Sequence, residues 1–197
     1  MDIVFDFAGV LFHWQPQALL DRLLPGRGVT AAQFFQGYDG DWSDFDRGLV
    51  DPEPLSMQIA MRTDVTPVEA QQVIAAVPEE LRPDADMVAL LDELHDRGAP
   101  LYYISNMPMP YADLLESRWS FLGRFRHGLI SGRVGLIKPE AAIFERAELA
   151  FGLKPASTVF FDDVQVNVVA ASARGWNAVR WESASQCRRE LAARGLL

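Results

Sequence analysis

The chain has 197 residues, of which 49% are hydrophobic, and it carries a formal net charge of −9. This length and apolar content suffice for one α/β domain with a small accessory unit, and they exclude a disordered or fibrous protein. The acidic balance argues against nucleic acid or an anionic membrane as a partner, because both require basic surface. The one cysteine, Cys187, excludes an intrachain disulfide or a thiolate metal site, and we expect it to be a surface or half-buried thiol.

The first predicted element is a buried parallel strand over residues 2–6, since a short continuous apolar run fits a strand covered on both faces. This strand delivers Asp6 to a turn of Phe7, Ala8 and Gly9. Open α/β sheets place their chemistry at such strand exits. The start of the chain is acidic rather than basic and no stretch is apolar enough for a membrane span, so we expect a soluble, cytoplasmic protein.

The segment that follows, from His13 to about Asp84, has a helical pattern with no convincing strand. Thr66, Pro67 and Glu69 predict a helix start, with Thr66 as the N-cap and Glu69 as its capping-box partner. We therefore expect a helical insertion over residues 14–84, too small for a typical independent domain, that packs on a core of residues 1–13 and 85–197.

Regular alternation of helices and strands begins at Asp84 and predicts a parallel sheet with right-handed crossovers. We expect a helix that ends at Gly98, a strand over 100–104, a helix over 111–117, a short strand over 129–131, a helix over 139–151, a strand over 158–161, a helix over 164–174 and a last strand over 178–181.

Polar residues follow the apolar strands at three places in the chain. Asp6 follows the first strand, Ser105 and Asn106 follow the second, and Asp162 and Asp163 follow a later one. Lys138 stands just before a predicted helix N-terminus, a position that the helix dipole makes slightly unfavourable for a cation unless an anion is near.

The motifs Phe5-Asp6-Phe7-Ala8-Gly9, Ile104-Ser105-Asn106, Lys138-Pro139-Glu140 and Phe161-Asp162-Asp163 resemble, in order and spacing, those of the haloacid dehalogenase superfamily. The resemblance covers almost the whole chain. It implies a three-layer α/β/α Rossmann-like fold in which the insertion is the family's helical cap. The chain looks most similar to a bacterial subgroup that includes a glucose-1-phosphate phosphatase.

The resemblance also implies a chemistry for these residues. Asp6 would attack the phosphorus of a phosphate ester to give an aspartyl-phosphate, which water then hydrolyses. Ser105 and the backbone N–H of Asn106 would hold phosphoryl oxygens, and Lys138 would balance charge between Asp6 and the phosphate. Mg²⁺ would be held by oxygen ligands, namely the carboxylates of Asp6 and Asp163, the backbone carbonyl of Ala8, and Asp162 directly or through water.

Ala8 departs from the common family pattern, in which a second carboxylate two residues after the nucleophile acts as acid and base. Loss of such a group typically lowers the rate by about 10²- to 10⁴-fold. Three explanations stay open: a substrate with an easy leaving group, such as a sugar 1-phosphate; another proton carrier, with His13 nearest in sequence; or a protein that has lost most of its catalysis. Asn167 is a candidate partner of the site carboxylates, and a solvated helix face is an equal alternative for it.

The insertion is expected to select the substrate. Trp14 and Arg47 are predicted to bind it, and Tyr38, Trp42 and Phe45 either line the cleft with them or form the core of the cap. An alternative for Arg47 is a simple pair with Asp44 or Asp46.

The leading hypothesis is a Mg²⁺-dependent phosphatase that acts on small phosphorylated metabolites as a monomer or homodimer. A carbon-halogen hydrolase of the same fold is the second hypothesis, and Ala8 and the acidic pair Asp162-Asp163 count against it, because crowded buried carboxylates need a cation. The third is a non-catalytic protein that binds phosphate ligands.

Overall fold

The computed structural model describes residues 1–37 and 40–197. The strands are β1 (Asp2–Phe5), β2 (Phe12–His13), β3 (Arg82–Pro83), β4 (Leu101–Ser105), β5 (His127–Ile130), β6 (Thr158–Asp162) and β7 (Asn177–Arg180). The helices are α1 (Pro16–Leu23), α2 (Ala31–Phe35), α3 (Asp41–Asp46), α4 (Pro52–Arg62), α5 (Pro67–Glu80), α6 (Ala85–Asp96), α7 (Met109–Arg118), α8 (Ser131–Val134), α9 (Ala141–Phe151), α10 (Gln165–Ala173) and α11 (Ala184–Ala193).

The main sheet is parallel, with the strand order β5-β4-β1-β6-β7. β1 lies at its centre, and the chain builds one side with β4 and β5 before it crosses to build the other with β6 and β7. Ligands bind at such a switch point, beyond the carboxyl ends of the central strands. Asp6, Ser105 and Asp162 all stand at that edge.

Both faces of the sheet are covered by helices, because alternate strand residues point to opposite sides. Ile3 and Phe5 join one apolar cluster, which holds buried residues of α6, α7 and α11, whereas Val4 joins a second cluster with residues of α9 and α10. The arrangement is the predicted three-layer α/β/α fold, which is therefore confirmed.

Helices α1 to α5 occupy the insertion, and their buried residues belong to the same apolar cluster as β1 and α6. The predicted start of α5 is confirmed, since Thr66 and Glu69 form the capping box around Pro67. The two-residue strands β2 and β3 pair antiparallel where the insertion leaves and rejoins the chain. The sequence pattern did not predict this pair, which is too short to show a periodicity.

Three local expectations were wrong. The strand expected over 129–131 ends at Ile130, and Ser131 begins α8. The helix expected over 164–174 begins one residue later, at Gln165, and the carboxylate of Asp162 accepts from the Val164 N–H before it at 2.8 Å. Cys187 is fully buried on the inner face of α11, where burial raises the pKa of its thiol. Among the described residues, no helix has the length and apolar character needed to cross a membrane.

Candidate active site

Asp6 stands at the end of the central strand with one carboxylate oxygen fixed and the other open. Its Oδ1 accepts from the Phe7 N–H at 2.6 Å and forms an ion pair with Lys138 Nζ at 2.8 Å. Within the described part of the chain, Oδ2 has no hydrogen-bond donor. The carboxylate lines a cavity, so Oδ2 is the oxygen that can meet a ligand.

Lys138 is buried between two carboxylates. Its ammonium donates to Asp162 Oδ2 at 2.7 Å and to the Ile104 carbonyl at 3.0 Å, and it forms an ion pair with Asp6. Three oxygen atoms therefore surround the ammonium. The structure places Lys138 beside Asp6, as predicted. There its positive charge offsets the negative charge of the carboxylates, and its contact with Oδ1 holds Asp6 in one orientation.

Asp162 has a partner on each oxygen. In addition to Lys138 and the Val164 N–H, it accepts from Asn167 Nδ2 at 3.0 Å on both Oδ1 and Oδ2. The hypothesis that Asn167 bonds a site carboxylate is thereby confirmed, and its solvated alternative is wrong, since the residue is 2% exposed. With its lone pairs largely used, Asp162 suits a water-mediated contact with an ion better than a direct one.

Unlike Asp162, Asp163 has an oxygen without a partner: its buried Oδ1 has no hydrogen bond in the chain as described. Oxygen atoms of Asp6, Asp162 and Asp163 lie within 4.8 Å of one another. A Cβ placed on Gly9 would come within 2.3 Å of Asp163 Oδ2, so the glycine backbone packs directly against this carboxylate. An unpartnered buried oxygen among clustered carboxylates fits a hard divalent cation such as Mg²⁺.

The site carries more negative charge than Lys138 balances. Burial is the main cause that raises the pKa of Asp6 to about 8; Lys138 opposes this rise, and Asp162 and Asp163 add to it. Burial and the charge of Asp162 likewise raise the pKa of Asp163 to about 6. A bound cation would lower both pKa values. The raised pKa values and the unpartnered oxygen of Asp163 therefore both indicate a cation site.

The second motif contributes mainly through backbone and positioning. Asn106 Oδ1 accepts from the Lys138 N–H, and Asn106 Nδ2 donates to the Lys138 carbonyl, each at 2.8 Å. The amide therefore clamps the backbone of Lys138, which leaves the backbone N–H of Asn106 as the group for a ligand. Ser105 is 1% exposed and does not line the cavity, but its Oγ has no hydrogen-bond partner among the described residues.

The carboxylates open into a cavity of about 410 Å³ between the sheet edge and the helical insertion. Its polar end holds Asp6, Lys138, Asp163 and Asn167, and its wall is apolar. That wall includes Ala8, Trp14, Phe35, Trp42, Val77, Leu81, Met107 and Tyr111.

The aromatic part of this wall is one packed cluster. Phe35 contacts Trp14 and Trp42 with ring centroids 5.4 and 4.6 Å apart. Phe45 lies behind Trp42 and is 4% exposed, so it belongs to the core rather than to the wall. Of the predicted cleft residues, the structure thus brings Trp14 and Trp42 to the cavity, and Tyr38 lies outside the described residues.

Arg47 and His13 are not brought to the cavity. The guanidinium of Arg47 forms a two-point pair with Glu140, at 2.9 and 2.5 Å, which joins the end of α3 to the segment before α9. The predicted contact of Arg47 with substrate and its pair with Asp44 or Asp46 are therefore replaced by a structural tie. His13 is exposed and lines a second groove with Gln15 and Arg180, which adjoins the cavity because Trp14 and Asp163 line both.

Asp46 lines the cavity and was not identified from the sequence as a functional residue. It follows Trp42 by one helical turn, and this i, i+4 spacing places both on one face of α3. Burial and the charge of Asp6 raise the pKa of Asp46 to about 8, although Lys138 opposes the rise. The spacing from Trp42 is the signal that would have found it.

Comparison with known families identifies the class of protein. The family model of haloacid dehalogenase-like hydrolases matches residues 3–175. The chain belongs to this family of hydrolases. The predicted resemblance is thereby confirmed at the level of the superfamily, while the narrower subgroup stays a prediction.

Two curated relatives are fungal. The sesquiterpene phosphatase astK of Aspergillus oryzae is 30% identical over 87% of this chain and 85% of its own length. The drimenol cyclase drtB of Aspergillus calidoustus is 23% identical over 96% of this chain, which spans only 35% of that protein.

Solved structures of the family share the fold. The family enzyme BT-2542 of Bacteroides thetaiotaomicron, solved with magnesium and inorganic phosphate, matches with a TM-score of 0.74 at 21% identity over 94% of this chain and 98% of its own. The L-2-haloacid dehalogenase of Xanthobacter autotrophicus, with chloropropionic acid covalently bound, matches with a TM-score of 0.69 at 20% identity over 100% and 84%.

Proposed function

We propose that the protein is a Mg²⁺-dependent phosphatase that hydrolyses an organic monophosphate through an aspartyl-phosphate on Asp6. The observation that carries this proposal is the pairing of Asp6 with Lys138 beside the unpartnered oxygen of Asp163. A phosphoryl group is densely anionic, so a carboxylate can attack it only where cations offset the repulsion.

Each residue of the site has a part in this reaction. Asp6 Oδ2 attacks phosphorus while Lys138 holds Oδ1, and the Asn106 N–H donates to a phosphoryl oxygen. The contact predicted for Ser105 is not part of this proposal, because Ser105 is buried and does not line the cavity. Asp6, Asp163 and the Ala8 carbonyl would hold Mg²⁺, with Asp162 reaching it through water. When bound, the ion supplies charge neutralisation to the phosphoryl oxygens. In this proposal, residues 14–84 act as a cap over a core of residues 1–13 and 85–197.

The organic part of the substrate is proposed to be apolar. The wall of the cavity is mostly aromatic and aliphatic, and burial of apolar surface there is worth roughly 25 cal/mol per Å². The relative with 30% identity is a sesquiterpene phosphatase, which agrees with a hydrocarbon substituent.

A sugar 1-phosphate is less well supported. Sugar hydroxyls need several hydrogen-bond partners, and both hydroxyl groups of the wall are engaged: Ser43 Oγ donates to Gly40 O at 2.7 Å and the Tyr111 hydroxyl donates to Ile74 O at 2.5 Å. A small apolar monophosphate as substrate, a cytoplasmic location and a monomeric or homodimeric state form the setting that we propose.

The test is phosphate release from a panel of monophosphates, among them farnesyl phosphate, dodecyl phosphate and glucose 1-phosphate, with Mg²⁺ and with a chelator. We expect Mg²⁺-dependent release that favours the apolar esters and is abolished in Asp6→Asn, which keeps the shape of the side chain. Asp96→Asn, at an exposed position at the end of α6, should match the wild type. Release that survives in chelator, or in Asp6→Asn, would contradict the proposal.

A further inference from the structure

The departing oxygen of an alkyl phosphate needs a proton, and Ala8 cannot supply one because its side chain is a methyl group. An alkoxide is a poor leaving group, so an acid at this point contributes typically about 10²- to 10⁴-fold in rate. On the basis of the proposed phosphatase activity, another side chain has to fill this role.

Most proton carriers that line the cavity already have another task. Asp6 is the nucleophile, Asp163 is a cation ligand, and the ammonium of Lys138 is surrounded by three oxygen atoms. The hydroxyl protons of Ser43 and Tyr111 are donated to backbone carbonyls. Among the described residues that line the cavity, this leaves Asp46.

The structure fixes Asp46 in place without using its carboxyl group. Its backbone carbonyl accepts from Ser131 Oγ at 2.6 Å, and the next residue, Arg47, is tied to Glu140. These two contacts anchor the end of α3 to the core. Within residues 1–37 and 40–197, the side chain of Asp46 itself has no hydrogen bond or ion pair, and it faces the cavity that Asp6 also lines.

We propose that Asp46, supplied by the helical insertion, is the catalytic acid and base that takes the place of the carboxylate missing at position 8. Its carboxyl group is half-buried, has no cationic partner among the described residues and lines the cavity with Asp6, and removal of a carboxyl group from water favours its protonated form.

The two half-reactions balance with this one proton. In the first, Asp6 Oδ2 bonds to phosphorus, the bond from phosphorus to the ester oxygen breaks, and the Asp46 proton passes to that oxygen to release the alcohol. In the second, water bonds to phosphorus and gives a proton to the Asp46 carboxylate. The bond from phosphorus to Asp6 then breaks, which releases phosphate and restores both side chains.

The test compares two leaving groups in Asp46→Asn, which keeps the shape of the side chain but cannot transfer the proton. Dodecyl phosphate needs an acid, whereas 4-nitrophenyl phosphate releases a stable phenolate without one. We expect kcat on dodecyl phosphate to fall by about 10²- to 10⁴-fold. The first turnover of nitrophenyl phosphate should fall far less, as a burst of nitrophenolate before a slow steady state, because phosphoenzyme hydrolysis has lost its base.

Asp44→Asn is the matched control, since Asp44 lies on the same helix with its side chain exposed. It should leave both substrates unaffected. An equal loss in the first turnover of both substrates in Asp46→Asn would show a structural or binding role and overturn the inference, as would an unchanged kcat on dodecyl phosphate. Failure of the wild type to release phosphate from any ester would instead refute the proposed function itself.

Discussion

At the scale of single residues, the site is built on an imbalance of charge. Three carboxylates share one ammonium, and the Asp163 oxygen without a partner marks where the imbalance is greatest. A buried cluster of this kind costs stability unless a cation completes it. In the proposed mechanism, the same imbalance prepares the site to receive Mg²⁺ and then an anion.

Gly9 gives a direct test of how the carboxylate of Asp163 is positioned. Its φ is +84°, and a Cβ would lie 2.3 Å from Asp163 Oδ2. Gly9→Ala should therefore lose about 1–2 kcal/mol of folding stability from the backbone conformation and also push Asp163 aside, which weakens Mg²⁺ binding by at least roughly tenfold, or about 1.4 kcal/mol. Denaturant unfolding and calorimetric titration with Mg²⁺ measure the two effects.

Gly135→Ala is the control for this pair of measurements. Gly135 also has a positive φ, +71°, but a Cβ there would meet nothing within 4 Å. The control should lose stability to a similar extent and bind Mg²⁺ as the wild type does. If Gly9→Ala bound Mg²⁺ equally well, the packing of Gly9 would not be what positions Asp163.

The sequence indicated Asp6, Asp162 and Asp163 as neighbours because the ends of parallel strands converge at one edge. Lys138 does not follow a strand, and its place beside Asp6 was implied by the family resemblance. The sequence did not predict the roles that depend on tertiary contacts. Arg47 pairs with a residue distant in sequence, Glu140, and the side chain of Asn106 is used on the Lys138 backbone. Strand periodicity carries no information about either partner.

At the scale of elements, the short helix α3 supplies residues to both the apolar wall and the polar end of the cavity. Trp42 forms part of the apolar wall, and Asp46, one turn later, faces the polar end of the same cavity. Helical spacing predicted that aromatic residues would group here, but aromatic residues in the core and in a wall follow the same spacing. Only the folded structure shows that Trp42 belongs to the wall and that Phe45, which packs behind it, belongs to the core.

The wall predicts a selective effect of Trp42→Ala. Removal of the indole should raise KM for dodecyl phosphate by roughly tenfold or more, since an aromatic side chain offers a large apolar contact area. Inhibition by inorganic phosphate should stay unchanged, because the ion contacts only the polar end. Steady-state kinetics with both compounds separate the two effects.

Trp181→Ala provides the comparison, because Trp181 is half-buried and lines the other groove instead. Its KM for dodecyl phosphate should stay within about twofold of the wild type. Were Trp42→Ala to weaken phosphate and dodecyl phosphate alike, the wall would support the site as a whole rather than bind the hydrocarbon.

At the scale of the whole molecule, the sheet order follows from the regular alternation after Asp84, which the sequence displays clearly. The path of the insertion over the sheet edge does not follow from this alternation. An amphipathic pattern indicates that a helix packs through its apolar face, but not against which surface. The cavity lies where these two parts meet. The sequence pointed to Trp14 and Trp42, and the helical spacing of Asp46 from Trp42 was there to be read, but which surface these side chains would face was not predictable from local pattern.

The acidic cluster also determines how stability depends on pH when no metal is bound. The pKa values of Asp6 and Asp46 are raised to about 8 and that of Asp163 to about 6. A carboxyl group whose pKa is higher in the folded than in the unfolded state binds more protons when folded, so stability falls as pH rises from about 4 to 8. Glu69, whose pKa is lowered to about 2 by the Thr66 N–H and Arg27, acts below this window.

We therefore expect the melting temperature of the metal-free protein to fall by a few degrees or more between pH 5 and pH 8. Mg²⁺ binds only the folded state and favours ionised carboxylates, so its stabilisation should grow over the same interval and flatten the curve. Asp6→Asn removes one titrating group and should show a shallower fall without metal. A metal-free melting temperature that stayed level or rose from pH 5 to pH 8 would mean that the carboxyl groups do not repel one another in the folded protein, and the reason for a cation at this site would be lost.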